Sequence, residues 1–322
     1  MSEKITSELK TLVGDRLKEN EPLAKHLVFR VGGPAKWFVE VESVDELKSV
    51  MKIAQDNEIK WEVIGGGSNA LASDAGFDGI VIRVAMRGLK FDDTHVVAQA
   101  GVPSVMLARQ SADAGLSGLE WMASLPGSVG GAVRGNAGCF GGEMHNHIIA
   151  VTVLRDGEVR RIEKKNILFG YRHSSFKDPS SKDVILEVEF ELQKDDASVI
   201  KERMAFVLDK RKVCQPIASG TAGCTFKNYE IQADDLEKLK KIDVPQSMID
   251  SGFVSAGWLI DQADLKGTKI DGARISEDHA NFIINDGNAT ADAIIQLISL
   301  VKMKVRDQFG IQLEEEIHYI GF

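Results

Sequence analysis

Apolar and polar positions alternate in short runs through the first third of the chain and in longer runs after residue 148. WFVEV (37–41), WEVI (61–64), IVIRV (80–84) and HVVAQA (95–100) read as strands rich in β-branched and aromatic residues. Between the first two, Ser43 followed by Glu46 is a capping box, which opens a helix. Ser104 is placed to cap another, ending at Gly115. Ahead of them the first twenty residues carry Ile5, Leu9, Leu12, Val13 and Leu17 at helical spacing. This is an α/β beginning.

Farther on, IIAVTVLR and EVRRIE flank Asp156-Gly157, a dipeptide suited to a two-residue hairpin because both positions tolerate positive φ. VILEVEFELQ (184–193) supplies another strand, and a charged helix runs from about Ala197 to Lys212. The Pro/Gly/Ser/Thr stretch QPIASGTAG (215–223) reads as a domain boundary. Beyond it come a helix near SAGWLIDQADL, a strand HANFIIN (279–285), and a long helix opened by Thr290 and stopped by Gly310. Ile294, Leu297, Ile298, Val301, Val305 and Phe309 share one face of that helix. The final run IQLEEEIHYI alternates: Ile311, Leu313, Ile317 and Tyr319 fall on one side, Glu314, Glu316 and His318 on the other. The organisation expected is residues 1–89, 90–214 and 215–322.

Composition narrows the function. With 322 residues, 43% hydrophobic and 27% charged, the chain has the balance of a soluble globular protein able to bury a large core. Asp plus Glu (48) exceed Lys plus Arg (39) for a net charge of −9, and no basic cluster with interleaved aromatics is present, so nucleic acid is not an expected partner. No run approaches membrane-spanning length and the N-terminus lacks the apolar core of a signal peptide; the expectation is a cytosolic protein with no membrane partner. Cys139, Cys214 and Cys224 are odd in number and far from C-x-x-C spacing, which argues against a disulfide framework. His145 and His147 have strand spacing for metal ligation, but nothing nearby completes a site, and no metal is expected.

VIGGGSNA (63–70) satisfies G-x-G-x-x-G/A through Gly65, Gly67 and Ala70. A dinucleotide-binding Rossmann loop also needs a helix directly after the glycines and an acid about 20 residues on. The segment from Asn69 to Ile80 is too short and glycine-broken for that helix, and the later region, around Arg87-Gly88, is basic. Anion binding by backbone amides survives, with Ser68 and Asn69 as added donors, and a second glycine-rich run, LPGSVGGA (125–132), offers a second grip on a diphosphate. The competing reading is that both runs are tight turns in a compact sheet.

FRVGGPA (29–35), IGGGSN (64–69), GLEWMASLPGSVGGAVRGNAGCFGGE (118–143), GYRHSSF (170–176), AGCTFKN (222–228), AGWLIDQADLKG (256–267), ISEDHANFIIN (275–285) and LEEEIHYIG (313–321) together resemble the UDP-N-acetylenolpyruvoylglucosamine reductase family over nearly the whole chain. The short link between EFELQ and the helix near Ala197 resembles the shorter, type II class. The resemblance implies an α/β (α+β) protein: an FAD-binding fold of the vanillyl-alcohol-oxidase type in two lobes, then a C-terminal α/β substrate-binding domain. It implies noncovalent FAD, NADPH as hydride donor, a UDP-sugar enolpyruvyl ether as substrate, a step in peptidoglycan precursor synthesis, and a monomer.

Carried over position by position, the resemblance implies flavin contacts at Gly65, Gly66, Gly67, Ser68, Asn69, Pro126, Gly127, Ser128, Gly130, Gly131, Asn136 and Gly138. It implies substrate contacts at Tyr171, Lys227, Asn228 and His279 and catalysis by Arg172, Cys224 and Glu316. Hydride addition to the enolpyruvyl C3 leaves charge over C2 and the carboxylate, which an arginine such as Arg172 would stabilise. Glu316, the second acid of L-E-x-E, would polarise the substrate near its carboxylate. Cys224 stands where the family has a serine that protonates C2, a role open to a thiol. By residue type alone, Arg172 and Glu316 read as solvated side chains and Cys224 as an inert buried thiol. Tyr229 replaces a frequent proline and Cys214 a lysine or threonine. A flavin oxidase of the same fold and an inactive FAD-binding protein remain as alternatives.

Overall fold

The computed structural model describes residues 2–214 and 220–322, and most of the boundary stretch 215–223 therefore lies outside the described residues. The chain forms two compact units, the first comprising residues 1–21, 34–68 and 77–213, the second residues 22–33, 69–76 and 214–322.

In the first unit, Pro34–Val41, Phe77–Val84 and Trp61–Ile64 form parallel neighbours in a sheet whose edge is Leu17–Pro22. The N-terminal helix Ser2–Val13 buries Ile5, Leu9 and Val13, every fourth residue, as an amphipathic helix on a core must. Val44–Asp56 begins at Ser43, whose side chain accepts from the Glu46 amide at 3.2 Å. Glu46 reaches back one residue farther than a capping box requires, accepting from the Glu42 amide at 2.8 Å.

A second sheet in this unit is antiparallel, with the order Glu158–Glu163, Ile148–Arg155, Val184–Glu191, His95–Gln99, Leu89–Asp92. Asp156 (φ 51) and Gly157 (φ 78) turn its hairpin, as their residue types predict. Both sheets contribute to one apolar core that includes Trp37, Val39, Ile80, Val96, Val151 and Val188.

The second unit has its own core, built around the helix Ala291–Phe309. Thr290 caps that helix by accepting from the Ala293 amide, and Gly310 ends it at φ 65. Asp74 adds a cap, accepting from Ala291 and Asp292 amides at 2.9 and 3.0 Å. Ala70–Ala72 pairs in parallel with His318–Ile320, and a small antiparallel sheet joins Lys269–Ile270, Ala273–Ile275 and Ile283–Asn285.

Three expectations need correction. Ser104 is the first helical residue of Ser104–Asp113, and Pro103 occupies the cap; the buried Ser104 Oγ is one turn position too late to reach an orphan amide. HANFIIN yields a strand only over Ile283–Asn285, because His279 and Phe282 close a turn through the Phe282 amide and His279 carbonyl. The last run is a strand only at His318–Ile320, with alternation interrupted where Glu315 forms an isolated bridge to Phe226. Among the described residues no helix is long and apolar enough to cross a membrane.

Candidate functional site

The two glycine runs meet within the first unit. A Cβ on Gly66 would sit 2.6 Å from the Gly127 Cα, one on Gly127 would sit 2.6 Å from Ser68 Oγ, and one on Gly65 would collide with Ser128 Oγ. Gly67 (φ 63) and Gly127 (φ 104) adopt left-handed backbone that side chains disfavour. Ser68 Oγ donates to the Pro126 carbonyl at 3.3 Å. Gly130 lies against Ala100, its absent Cβ only 2.8 Å from the alanine methyl, whereas a Cβ on Gly131 would find ordinary contact. Close approach of a neighbouring backbone at Gly66, and of neighbouring side chains at Gly65, Gly127 and Gly130, therefore accounts for these glycines.

The same place also answers to an anion. Ser128 Oγ is buried with no hydrogen-bond partner among the described residues, beside positions where only glycine fits. A buried unsatisfied hydroxyl is costly unless a ligand completes it. These residues fit a diphosphate such as that of FAD.

After the helix Val129–Arg134 the chain turns at Asn136 (φ 42), and Gly138–Cys139 pairs with Gly142–Glu143. Asn136 is 1% exposed, and its side chain is engaged with protein: Nδ2 donates to the Gly170 carbonyl (2.9 Å) and to Glu143 Oε2 (3.2 Å), while Oδ1 accepts from the His145 amide (3.1 Å). Tyr171 and Arg172 form the two-residue turn between Phe169–Gly170 and His173–Ser174. Arg172 is itself left-handed (φ 55), its guanidinium 5.3 Å from the Tyr171 ring centroid, and its Nη2 donates to the Gly138 carbonyl at 2.7 Å. The arginine is thus held in a defined turn, unlike a waving surface side chain.

Cys139 is largely buried, which pushes its thiol up, and it donates to the Trp121 carbonyl. His145 lies in the 3-10 turn Met144–Asn146, with Nδ1 3.1 Å from Glu143 Oε2. The strand spacing expected for His145 and His147 is not realised. Among the described residues no group of three or more His, Cys, Asp or Glu could hold a metal ion.

The second unit gathers Asn69, Cys224, Lys227, Asn228, His279 and Glu316. The segment 224–227 lies between two others: Cys224 bridges Phe282, the Thr225 amide donates to the Asn281 carbonyl (2.8 Å), the Glu316 amide donates to the Thr225 carbonyl (2.8 Å), and the Lys227 amide donates to the Glu314 carbonyl (2.9 Å). Glu316 and Cys224 consequently belong to adjacent backbone. Asn69 Nδ2 donates to the Glu316 carbonyl at 3.0 Å, and the Asn69 carbonyl accepts from the His318 amide at 2.9 Å. Asn69 is thereby tied to the backbone on either side of Ile317.

Lys227 Nζ pairs with Glu314 at 3.0 Å. Asn228 Oδ1 accepts from the Ala256 amide at 3.1 Å, at the start of the helix Ala256–Gln262. His279 Nδ1 accepts from the Asn281 amide at 3.3 Å, which leaves the proton on Nε2; burial lowers its pKa and the ring packs 4.7 Å from Phe282. Tyr229 Oη donates to Asp235 at 2.7 Å, and burial pushes the phenol up to about 12.

Sequence reasoning missed Asn281, whose Nδ2 donates to the Phe226 carbonyl and whose Oδ1 accepts from the Phe226 amide, both at 2.9 Å. Asn285 likewise donates to the Phe29 carbonyl. Two asparagines inside the apolar run HANFIIN were the available signal, since buried amides need backbone partners.

Residues 215–320 match the C-terminal domain of UDP-N-acetylenolpyruvoylglucosamine reductase, and residues 35–163 match an FAD binding domain. Curated UDP-N-acetylenolpyruvoylglucosamine reductases from Anoxybacillus flavithermus and Bacillus subtilis are each 36% identical over 322 residues, covering 99% of both chains. The solved reductase of Thermus caldophilus is 34% identical with a TM-score of 0.75, over 94% of this chain and 99% of that one. With full-length identity, a matching C-terminal domain and glycine runs suited to a flavin diphosphate, the chain belongs to the UDP-N-acetylenolpyruvoylglucosamine reductase family.

Proposed function

We propose that the chain reduces the enolpyruvyl ether of UDP-N-acetylglucosamine enolpyruvate to the lactyl ether of UDP-N-acetylmuramate, using Arg172, Cys224 and Glu316. The reading assigns flavin binding to residues 1–89 and 90–214 and substrate binding to 215–322, which the matched spans 35–163 and 215–320 support. FAD, when bound, would supply the hydride chemistry, with NADPH as the reductant and the enolpyruvyl C3 as the carbon reduced. Gly65, Gly66, Gly67, Ser68, Asn69, Pro126, Gly127, Ser128, Gly130 and Gly131 would hold its diphosphate, with Asn136 and Gly138 bordering the site.

As charge develops over C2 and the carboxylate, the Arg172 guanidinium balances it. The Cys224 thiol gives its proton to C2, the S–H bond breaking as the C–H bond forms, and the thiolate regains a proton from solvent. Glu316 orients the carboxylate end. Tyr171, Lys227, Asn228 and His279 contact the rest of the substrate, His279 as an Nε2–H donor. The observation that carries this reading is the hydrogen-bonded register placing Cys224 and Glu316 on neighbouring backbone through Thr225.

Stopped-flow half-reactions test it. Arg172→Ala or Glu316→Gln is expected to slow substrate-driven flavin reoxidation by about 10²-fold or more, with far less effect on reduction by NADPH. Equal loss in both half-reactions would contradict these roles.

A further inference from the structure

We propose that Asn136 is a positioning residue for Arg172, acting through the Tyr171-Arg172 turn. The inference rests on the role given to Arg172 above, and its support is independent of that role. Three contacts dock the turn onto segment 134–138: Gly170 carbonyl to Asn136 Nδ2 (2.9 Å), Arg172 Nη2 to the Gly138 carbonyl (2.7 Å), and Ser174 Oγ to the Arg134 carbonyl (2.7 Å). Asn136 sits at the centre of this arrangement. Its second amide hydrogen goes to Glu143 Oε2 at 3.2 Å, and Glu143 stands directly opposite Gly138 in the short ladder, so one side chain ties both the turn and the strand whose carbonyl receives Arg172.

The chemistry of the position permits little else. Two donors and one acceptor are used at once on a side chain 1% exposed: aspartate lacks the donors, and alanine leaves the Gly170 carbonyl and the His145 amide without their partner. Arg172 adopts φ 55, a conformation non-glycine residues hold only when surroundings dictate it, and the docked turn supplies that dictation. A guanidinium that must meet a developing charge loses rate when displaced by even about 1 Å.

The test is a double-mutant cycle on the flavin-loaded enzyme. Asn136→Ala is expected to slow reoxidation by the enolpyruvyl UDP-sugar about tenfold or more at saturating substrate, and to add no further slowing in the Arg172→Ala protein. Hydrogen exchange of amides 169–174 should accelerate in Asn136→Ala, a readout that needs no turnover. Equal slowing in both backgrounds would overturn the proposal, because Asn136 would then act independently of Arg172; unchanged exchange would overturn it as well. If Arg172→Ala alone leaves reoxidation intact, the catalytic reading of Arg172 fails while the exchange result still decides whether Asn136 fixes the turn. Should Asn136→Ala not accumulate folded, Ser174→Ala removes another of the three contacts with minimal change of volume, and the same cycle applies with a few-fold effect expected.

Discussion

Cys224 stands where the family resemblance implies a serine, and its chemistry can be separated from that of the other thiols. A thiolate is alkylated where a hydroxyl is not. Cys139 is protected by burial, which raises its pKa and keeps it a thiol. In a protein with Cys139 and Cys214 replaced by alanine, iodoacetamide should block substrate reduction, and prior binding of the UDP-sugar should protect. Cys224→Ser is expected to stay active and resist the reagent, whereas Cys224→Ala should fall by about 10²-fold. Parent-rate turnover by Cys224→Ala would assign the proton to another donor. Tyr229, where the resemblance implies a frequent proline, has a structural role of its own: its hydroxyl donates to Asp235, which also accepts from the Gln232 amide, so the tyrosine ties down this loop.

Among the elements, those set by local chemistry were legible in the sequence. The Thr290 to Gly310 helix and the Asp156-Gly157 hairpin stand as their residue types dictate, since a cap and a left-handed turn depend on neighbours only a few positions away. Elements set by distant partners were not. Asp74 caps a helix 217 residues later, and the alternation of the final strand breaks where segment 224–227 docks beside it. The candidate site divides the same way. Motif positions named Cys224, Glu316 and Arg172, and Asn136 as a flavin contact, but neither Asn281 nor the hydrogen bond by which the Asn136 amide holds the turn carrying Arg172.

The Ser43 cap carries a testable extension at this scale. Arg16 donates to both Glu46 oxygens, at 2.7 and 2.5 Å, and with the Glu42 and Ser43 backbone it holds the carboxyl at about 2, below its ordinary 4.5. A depressed carboxyl stabilises the fold above its unfolded pKa and loses that contribution as pH falls from about 4.5 to about 2. Arg16→Ala is expected to cost about 1 kcal/mol near neutrality, the water-screened scale for such a pair, and less at the acidic end. Urea unfolding across that interval checks this; an Arg16→Ala penalty that stays constant down to pH 2 would remove the ion pair from the account.

At the level of the whole molecule, two hydrophobic cores underlie two units, and the chain's family resemblance extends through both. Neither glycine run contains a histidine or cysteine, although Cys139 lies just beyond the second, and the flavin should be held without a covalent bond. Acid precipitation should release all yellow colour to the supernatant, and colour retained in the pellet would refute this. The central claim is that these residues serve reduction of an enolpyruvyl ether. Its most direct test is anaerobic: NADPH should bleach the flavin, and UDP-N-acetylglucosamine enolpyruvate should restore the colour with one equivalent of UDP-N-acetylmuramate formed. A bleached protein that the enolpyruvyl sugar leaves colourless, and that only oxygen or another acceptor recolours, would contradict it.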